Sequence, residues 1–111
     1  MAKKSFIAGE DLTDKIGFAI VADNSTGKVK VAGSAGVECL GILMNDGKAD
    51  ASVGVAMVGE VAKAKLAGTV AFGALLATDA NGKFVTQNDN VAVARALQAG
   101  ASGDLIYVVL V

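Results

Sequence analysis

The chain contains no histidine, and this absence decides much of the chemistry its residues could perform. Histidine is the commonest general base near neutral pH and the commonest metal ligand in proteins. Ser-His-Asp and Cys-His catalytic arrangements are therefore excluded. The single cysteine, Cys39, can form neither an intramolecular disulfide nor a zinc site built from several thiolates. We expect Cys39 to be a small buried hydrophobic residue.

Two polar segments come nearest to a ligand-binding motif. Residues 23–28 (DNSTGK) resemble a phosphate-binding loop, but Ala22 stands where that motif needs a glycine and Val29 where it needs Ser or Thr. Residues 79–82 (DANG) contain a fragment of a calcium loop without its further acidic ligands. Both segments are better explained as hairpin turns, and no pair of carboxylates stands out for acid–base chemistry. We therefore expect no catalytic residue, no metal, no cofactor and no enzymatic activity.

The pieces that flank these turns have strand length and predict a mainly β fold. Residues 28–31 alternate with period two and should form a hairpin with residues 16–21. Residues 39–44 (CLGILM) form a continuous apolar run, which is typical of a strand buried on both faces. Residues 104–111 (DLIYVVLV) are dense in β-branched side chains, which predicts a central, doubly covered strand.

Two segments leave a choice between strand and helix. Lys63 and Lys65 alternate with small apolar residues and favour a strand, whereas a helix over residues 60–66 is the alternative. Residues 91–97 also alternate, but alanine-rich sequence would suit a helix equally well. The fold class is thus predicted to be all-β or mainly β: a small β-barrel or β-tulip-like sandwich, with room for one or two short helices.

The chain also contains a faint internal similarity. Residues 41–48 (GILMNDGK) resemble residues 73–83 (GALLATDANGK). Two copies at one spacing do not make a solenoid. Shared turn chemistry between two β-hairpins is the simpler explanation.

The composition predicts that another chain covers part of the surface. Hydrophobic residues make up 53% of the chain, but only 5% are aromatic, and small side chains bury little area each. The net charge of −1, with basic and acidic residues interspersed, does not favour nucleic-acid binding. The longest uncharged run, residues 66–78, is shorter than the roughly 20 residues that a membrane-spanning helix needs. We expect neither nucleic acid nor membrane as a partner.

Residues 1–15 predict an N-terminal arm before a single β domain of residues 16–111. One interpretation is a frayed terminus that carries a short edge strand. The other is an arm that orders on a partner by adding a strand to a neighbouring sheet. In the second interpretation the candidate partner-binding residues are Lys3, Lys4, Ser5, Phe6 and Ile7.

From about residue 36 onward, the chain resembles the capsid decoration (head cement) proteins of tailed bacteriophages. The resemblance covers about two-thirds of the chain and lies in a rhythm of strands and turns. It is carried by residues 41–43 (GIL), 55–61 (VAMVGEV), 73–76 (GALL), 79–86 (DANGKFVT), 94–97 (ARAL) and 104–110 (DLIYVVL).

The resemblance implies a compact β domain, usually a homotrimer, that is made in the host bacterial cytoplasm and sits on the outer surface of the virion head. The implied partner is the major capsid protein, whose shell such proteins stabilise, and residues 3–7 become candidate capsid contacts. The alternative is a ligand- or glycan-binding β-module on a virion or cell surface. Such modules generally use exposed aromatic side chains, whereas the aromatics here fall mostly in predicted strands.

Overall fold

The computed structural model describes residues 4–23, 25–33, 39–87 and 91–111, which form two antiparallel five-stranded sheets. The strands of the first sheet are β1 (Lys4–Ile7), β2 (Ala19–Asp23), β3 (Lys28–Val31), β4 (Gly41–Leu43) and β5 (Ser52–Ala56). Those of the second are β6 (Val61–Lys65), β7 (Leu75–Thr78), β8 (Phe84–Thr86), β9 (Ala94–Ala96) and β10 (Leu105–Leu110). These ranges contain no helix, so the all-β prediction is confirmed. No helix long and apolar enough to cross a membrane occurs within them.

The segments that left a choice between strand and helix are strands. Residues 61–65 form β6, and β9 lies within the second segment. The predicted hairpin is formed by β2 and β3, and β4 is buried at every residue. Ile42 and Leu43 pack into different core clusters, as expected for a strand covered on both faces.

Strand β10 lies inside its sheet, between β6 and β9, but only one of its faces is covered. Ile106 and Val108 are buried, whereas Leu105 and Tyr107 are 44% and 47% exposed. The prediction of a doubly covered strand was therefore wrong. The apolar side chains on its outward face remain exposed in the described part of the chain.

The two sheets have the same strand order. The first runs β1-β5-β4-β2-β3 and the second β6-β10-β9-β7-β8, so each strand of the first sheet has a counterpart five strands later. The chain therefore consists of two halves of one topology, residues 4–56 and residues 61–110.

The match between the halves extends to the register of single residues. Ala8 makes an isolated parallel bridge to Val29, which brings the two ends of the first sheet together, and Leu66 makes the same bridge to Phe84. In each half the residue after the bridge donates its N–H to the far partner of the bridge. Gly9 donates to the carbonyl oxygen of Val29 at 2.7 Å, and Ala67 donates to that of Phe84 at 2.8 Å. Each half is thus rolled towards a small barrel, and the register matches residues of each strand in one half to residues of its counterpart strand in the other.

The hairpin turns of the two halves are also alike. The N–H of Gly27 donates to the carbonyl oxygen of Asp23 at 2.9 Å, and that of Gly82 to Asp79 at 3.3 Å. Both glycines have positive φ, 73° and 81°, which L-residues with a Cβ rarely adopt. Residues 73–83 therefore correspond to residues 17–28, and the counterpart of β4 is β9. The sequence similarity between residues 41–48 and 73–83 therefore does not mark structural counterparts, and both segments begin antiparallel strand pairs, β4 with β5 and β7 with β8.

Each half has its own core, and the first half also helps to cover the second. The inward residues of the first sheet form one cluster, which includes Ile20, Val29 and Val55. Ala19 and Ile42, on the outward face of the same sheet, join the cluster of the second half instead. Because this face must be close-packed, the strands that form it need small residues at their contacts.

Gly41 faces the core of the first half and provides a test of the packing between β4 and β5. A Cβ at Gly41 would overlap the carbonyl oxygen of Ala56 and lie 2.7 Å from Cγ1 of Val55. We expect Gly41→Ala to lower the free energy of unfolding by about 2 kcal/mol, measured by urea denaturation followed by circular dichroism. Gly33→Ala is the matched control, because no atom of the described residues lies within 4 Å of its new Cβ, and its effect should stay below about 0.5 kcal/mol. Equal losses in the two variants would contradict the packing described.

Candidate interaction surfaces

The predicted N-terminal contact residues form an edge strand of the chain's own sheet. Strand β1 pairs antiparallel with β5, from Lys4 to Ile7. Ser5 is exposed and Ile7 is 43% exposed, whereas Phe6 is half-buried against the core of the first half. Lys3 lies outside the described residues. Of the five predicted contact residues, Ser5 and Ile7 are therefore the two whose side chains are described and exposed. Their role as capsid contacts stays a prediction.

The residues that follow β1 are fixed to the first half. Ala8 and Leu12 are fully buried. The N–H of Ala8 donates to the carbonyl oxygen of Ala51 at 2.9 Å, and that of Leu12 to Gly47 at 2.8 Å. Strand β1 is therefore tethered at its C-terminal end, and its outward face is presented in a fixed orientation.

The two motif-like polar segments are turns whose aspartates are used locally. Oδ1 of Asp23 accepts from the N–H and the hydroxyl of Ser25, at 3.1 and 2.8 Å, and these bonds hold the pKa of Asp23 below its usual value. Oδ1 of Asp79 accepts from the N–H groups of Asn81 and Lys83, at 2.8 and 2.9 Å. Among the residues that the structure describes, no group of three His, Cys, Asp or Glu is placed to hold a metal ion.

Cys39 is half-buried beside a small groove of about 90 Å³, which is lined by apolar residues that include Val58, Val91 and Leu110. Burial raises the pKa of the Cys39 thiol to about 11. The thiolate is the nucleophilic form, so this environment suppresses rather than activates the cysteine. This agrees with the interpretation of Cys39 as a small hydrophobic residue.

The outward face of β6 and β10 is an exposed surface of mixed apolar and basic character. Lys63 faces Tyr107 across the two strands, with its Nζ 5.3 Å from the ring centroid, which allows a cation–π contact. Val61, beside them, is 53% exposed. A groove of about 250 Å³ runs between these residues and the loop residues Ile16 and Met44 of the first half. Sequence reasoning missed this surface because it assigned the apolar residues of β10 to the interior.

Phe72 is the most exposed large hydrophobic side chain of the described residues, at 73%. It lies in the turn before Gly73, whose φ is 83°. Leu97, in the turn after β9, is 38% exposed. The available sequence signal for Phe72 was an aromatic residue inside the long uncharged run but outside any strand pattern.

Comparison with known proteins adds a structural likeness and no sequence match. No family model matches the chain, and no curated protein sequence matches it. Its structure is similar to that of the head fiber gp8.5 N base of bacteriophage phi29, with a TM-score of 0.77 and 11% sequence identity. The match covers 99% of this chain and 93% of that one. The two chains share a fold. This neighbour is a phage head protein, which agrees with the family resemblance found in the sequence.

Alkylation of Cys39 provides a test of its environment. We expect iodoacetamide to modify Cys39 roughly 100-fold more slowly in the folded chain than in urea at pH 7.5, because burial raises its pKa from 9.0 to about 11. Below pH 10 the rate in the folded chain should rise about tenfold per pH unit, since the thiolate fraction does so. Intact-mass spectrometry measures both rates, and Cys39→Ala should gain no adduct. Equal rates in folded and unfolded chain would contradict the described burial.

Proposed function

We propose that this chain is a structural virion protein that decorates the outer surface of a tailed-phage head and stabilises the shell of major capsid protein. The observation that carries the proposal is the match over almost the full length of both chains to the base of a phage head fiber. The resemblance of residues 41–110 to capsid decoration proteins supports the same role. No enzymatic function is part of the proposal.

In this proposed function the protein acts as a homotrimer. Apolar side chains that remain exposed in the single chain favour association, because contiguous apolar patches on soluble proteins commonly mark interaction sites. Three copies that bind neighbouring capsid subunits together act by multivalency, so that modest individual contacts give strong retention. A protein that binds only the assembled shell also stabilises that shell by mass action.

The decoration role can be tested on undecorated, expanded phage heads. We expect the purified protein to cosediment with the heads and to raise the temperature at which they release DNA, because binding across subunit boundaries opposes their separation. Heat-denatured protein is the control. If the native protein neither binds the heads nor changes their disruption temperature, the proposed function is wrong.

The N-terminal contact can be tested by charge reversal. We expect the double variant Lys3→Glu/Lys4→Glu to weaken head binding roughly tenfold or more, because reversing charge at a protein interface removes attraction and adds repulsion. Lys30→Glu/Lys48→Glu is the matched control, since it makes the same charge change at exposed positions elsewhere. Equal binding by the two double variants would remove these lysines from the capsid contact.

Ligand or glycan binding is the second candidate function, and the exposed aromatic side chains favour it. Phe72 and Tyr107 are 73% and 47% exposed, and aromatic rings at a surface can stack on sugar rings. A glycan array probed with the native chain and with Phe72→Ala and Tyr107→Ala tests this function. Binding that is lost in either variant would favour a glycan-binding module.

A further inference from the structure

The two halves of the chain are joined by a close-packed interface. The N–H of Lys65 donates to the carbonyl oxygen of Gly17 at 2.9 Å, and the N–H of Ala19 donates to that of Gly82 at 2.7 Å. Ile42 and Ala19, on the outward face of the first half, are fully buried in the core cluster of the second. The outward face of the first half is thus one side of the interface, and the strand edge and hairpin turn of the second half are the other.

Glycines mark both sides of this interface. A Cβ at Gly17 would lie 2.5 Å from Cδ2 of Leu105 and 3.0 Å from the backbone nitrogen of Lys65. A Cβ at Gly82 would overlap Val31 and lie 3.2 Å from the carbonyl oxygen of Ala32. Neither position has room for a side chain, because the opposite half lies against it.

The same two surfaces occur a second time, and there no other part of the described chain covers them. The counterpart of Gly17 is Gly73, and the counterpart of Gly82 is Gly27. Each pair shares a positive φ and the same hydrogen-bonding position in its half. A Cβ at Gly73 or at Gly27 would have no atom of the described residues within 4 Å. The second half therefore repeats one side of the interface, and the first half repeats the other, with no described residue packed against either glycine.

The side chains around the uncovered Gly73 suit a contact. Ile16 and Met44 of the first half line the groove that faces the second half, and their counterparts are Phe72 and Leu97. The counterpart of buried Ile42 is Arg95, which is exposed. Aromatic residues and arginine are enriched in protein–protein interfaces.

We propose that the outward face of the second half binds the first half of a second copy of this chain, repeating between chains the contact that joins the halves within one chain. We name the two surfaces by their residues: the donor face comprises Phe72, Gly73, Arg95 and Leu97, and the receiving face comprises Ile7, Gly27 and Ser52. The proposal deepens the homotrimer of the proposed function and rests on it. It assigns the residues that form the contact between subunits.

This contact is heterologous, because the donor and receiving faces are different surfaces. Heterologous contacts generate closed rings when the rotation between subunits closes, as a cyclic trimer requires. Charge favours the same pairing. Arg95 is exposed on the donor face, and Glu10 and Asp11 are exposed in the loop that follows Ile7.

The contact between chains differs from the internal one in its backbone hydrogen bond. The carbonyl oxygen of Gly73 already accepts from the guanidinium of Arg95 at 2.9 Å, whereas that of Gly17 accepts from the other half. The contact therefore depends more on the side chains of Phe72 and Leu97 than on strand-edge pairing. This makes it a reversible association that side-chain substitution can remove.

The test compares single substitutions on each face. Light scattering coupled to size-exclusion chromatography measures the molar mass of the native chain, of Phe72→Asp and of Ile7→Asp over a concentration series. Val58→Asp is the matched control, because Val58 is 65% exposed and belongs to neither face. We expect the native chain and the control at about three times the 11.0 kDa of one chain, and both face variants to fall threefold, to the mass of one chain. Circular dichroism checks that each variant folds, and Ser52→Lys replaces Ile7→Asp if that variant does not.

Three results would overturn the proposal: a native chain that is monomeric at every concentration, a Phe72→Asp variant that keeps the native mass, or a folded receiving-face variant that keeps it. A receiving-face variant that keeps its mass but no longer binds phage heads would assign β1 to the capsid instead. Head binding is measured separately on the native chain. An oligomer that does not bind heads contradicts the proposed function alone, and a monomer that binds them contradicts the subunit contact alone.

Discussion

The structure depends on the covering of the second core by the outward face of the first half. Each half is about 50 residues long, and a domain of that size is only marginally stable because it buries a small fraction of its surface. The side chains are also small, so each buried residue contributes little at roughly 25 cal/mol per Å². Placing Ala19 and Ile42 against the second core gives β2 and β4 two covered faces.

The parts of the fold that could be predicted from sequence are those with a local physical cause. Turns are specified by residues that tolerate positive φ or bond to their own backbone, and Asp79 with Gly82 fulfils both requirements. The absence of histidine limits the chemistry without any knowledge of the fold. A continuous apolar run such as residues 39–44 indicates burial on both faces, which β4 shows. The turn signals and the apolar run each lie within a few neighbouring residues.

The repeated topology could not be predicted from sequence because side chains at corresponding core positions differ in size between the halves. The bridged pair of the first half is Ala8 with Val29, whereas the second half has the larger Leu66 with Phe84. Elsewhere the exchange runs the other way, since Leu43 corresponds to Ala96. Cores tolerate such changes when the total volume and the pattern are kept. Sequence similarity therefore remains mainly at the turns, where backbone conformation restricts the residue type. The phage head fiber base likewise shares this fold at 11% identity.

The outward faces of the two halves differ in sequence, and the exposure of each face in the single chain gives a reason for the difference. In the first half, the central outward position of β4 is Ile42, which is covered by the second half as the chain folds. In the second half, the same position is Arg95, which is exposed and bonds to the carbonyl oxygen of Gly73. An isoleucine there would add to an apolar patch that already includes Phe72, and large exposed apolar patches cause aggregation. Arginine keeps this face soluble in the single chain, yet its planar guanidinium and long apolar stem can still pack against a partner. In the proposed subunit contact this face meets water first and a neighbouring subunit later, and it then needs both properties, unlike the face that is covered during folding.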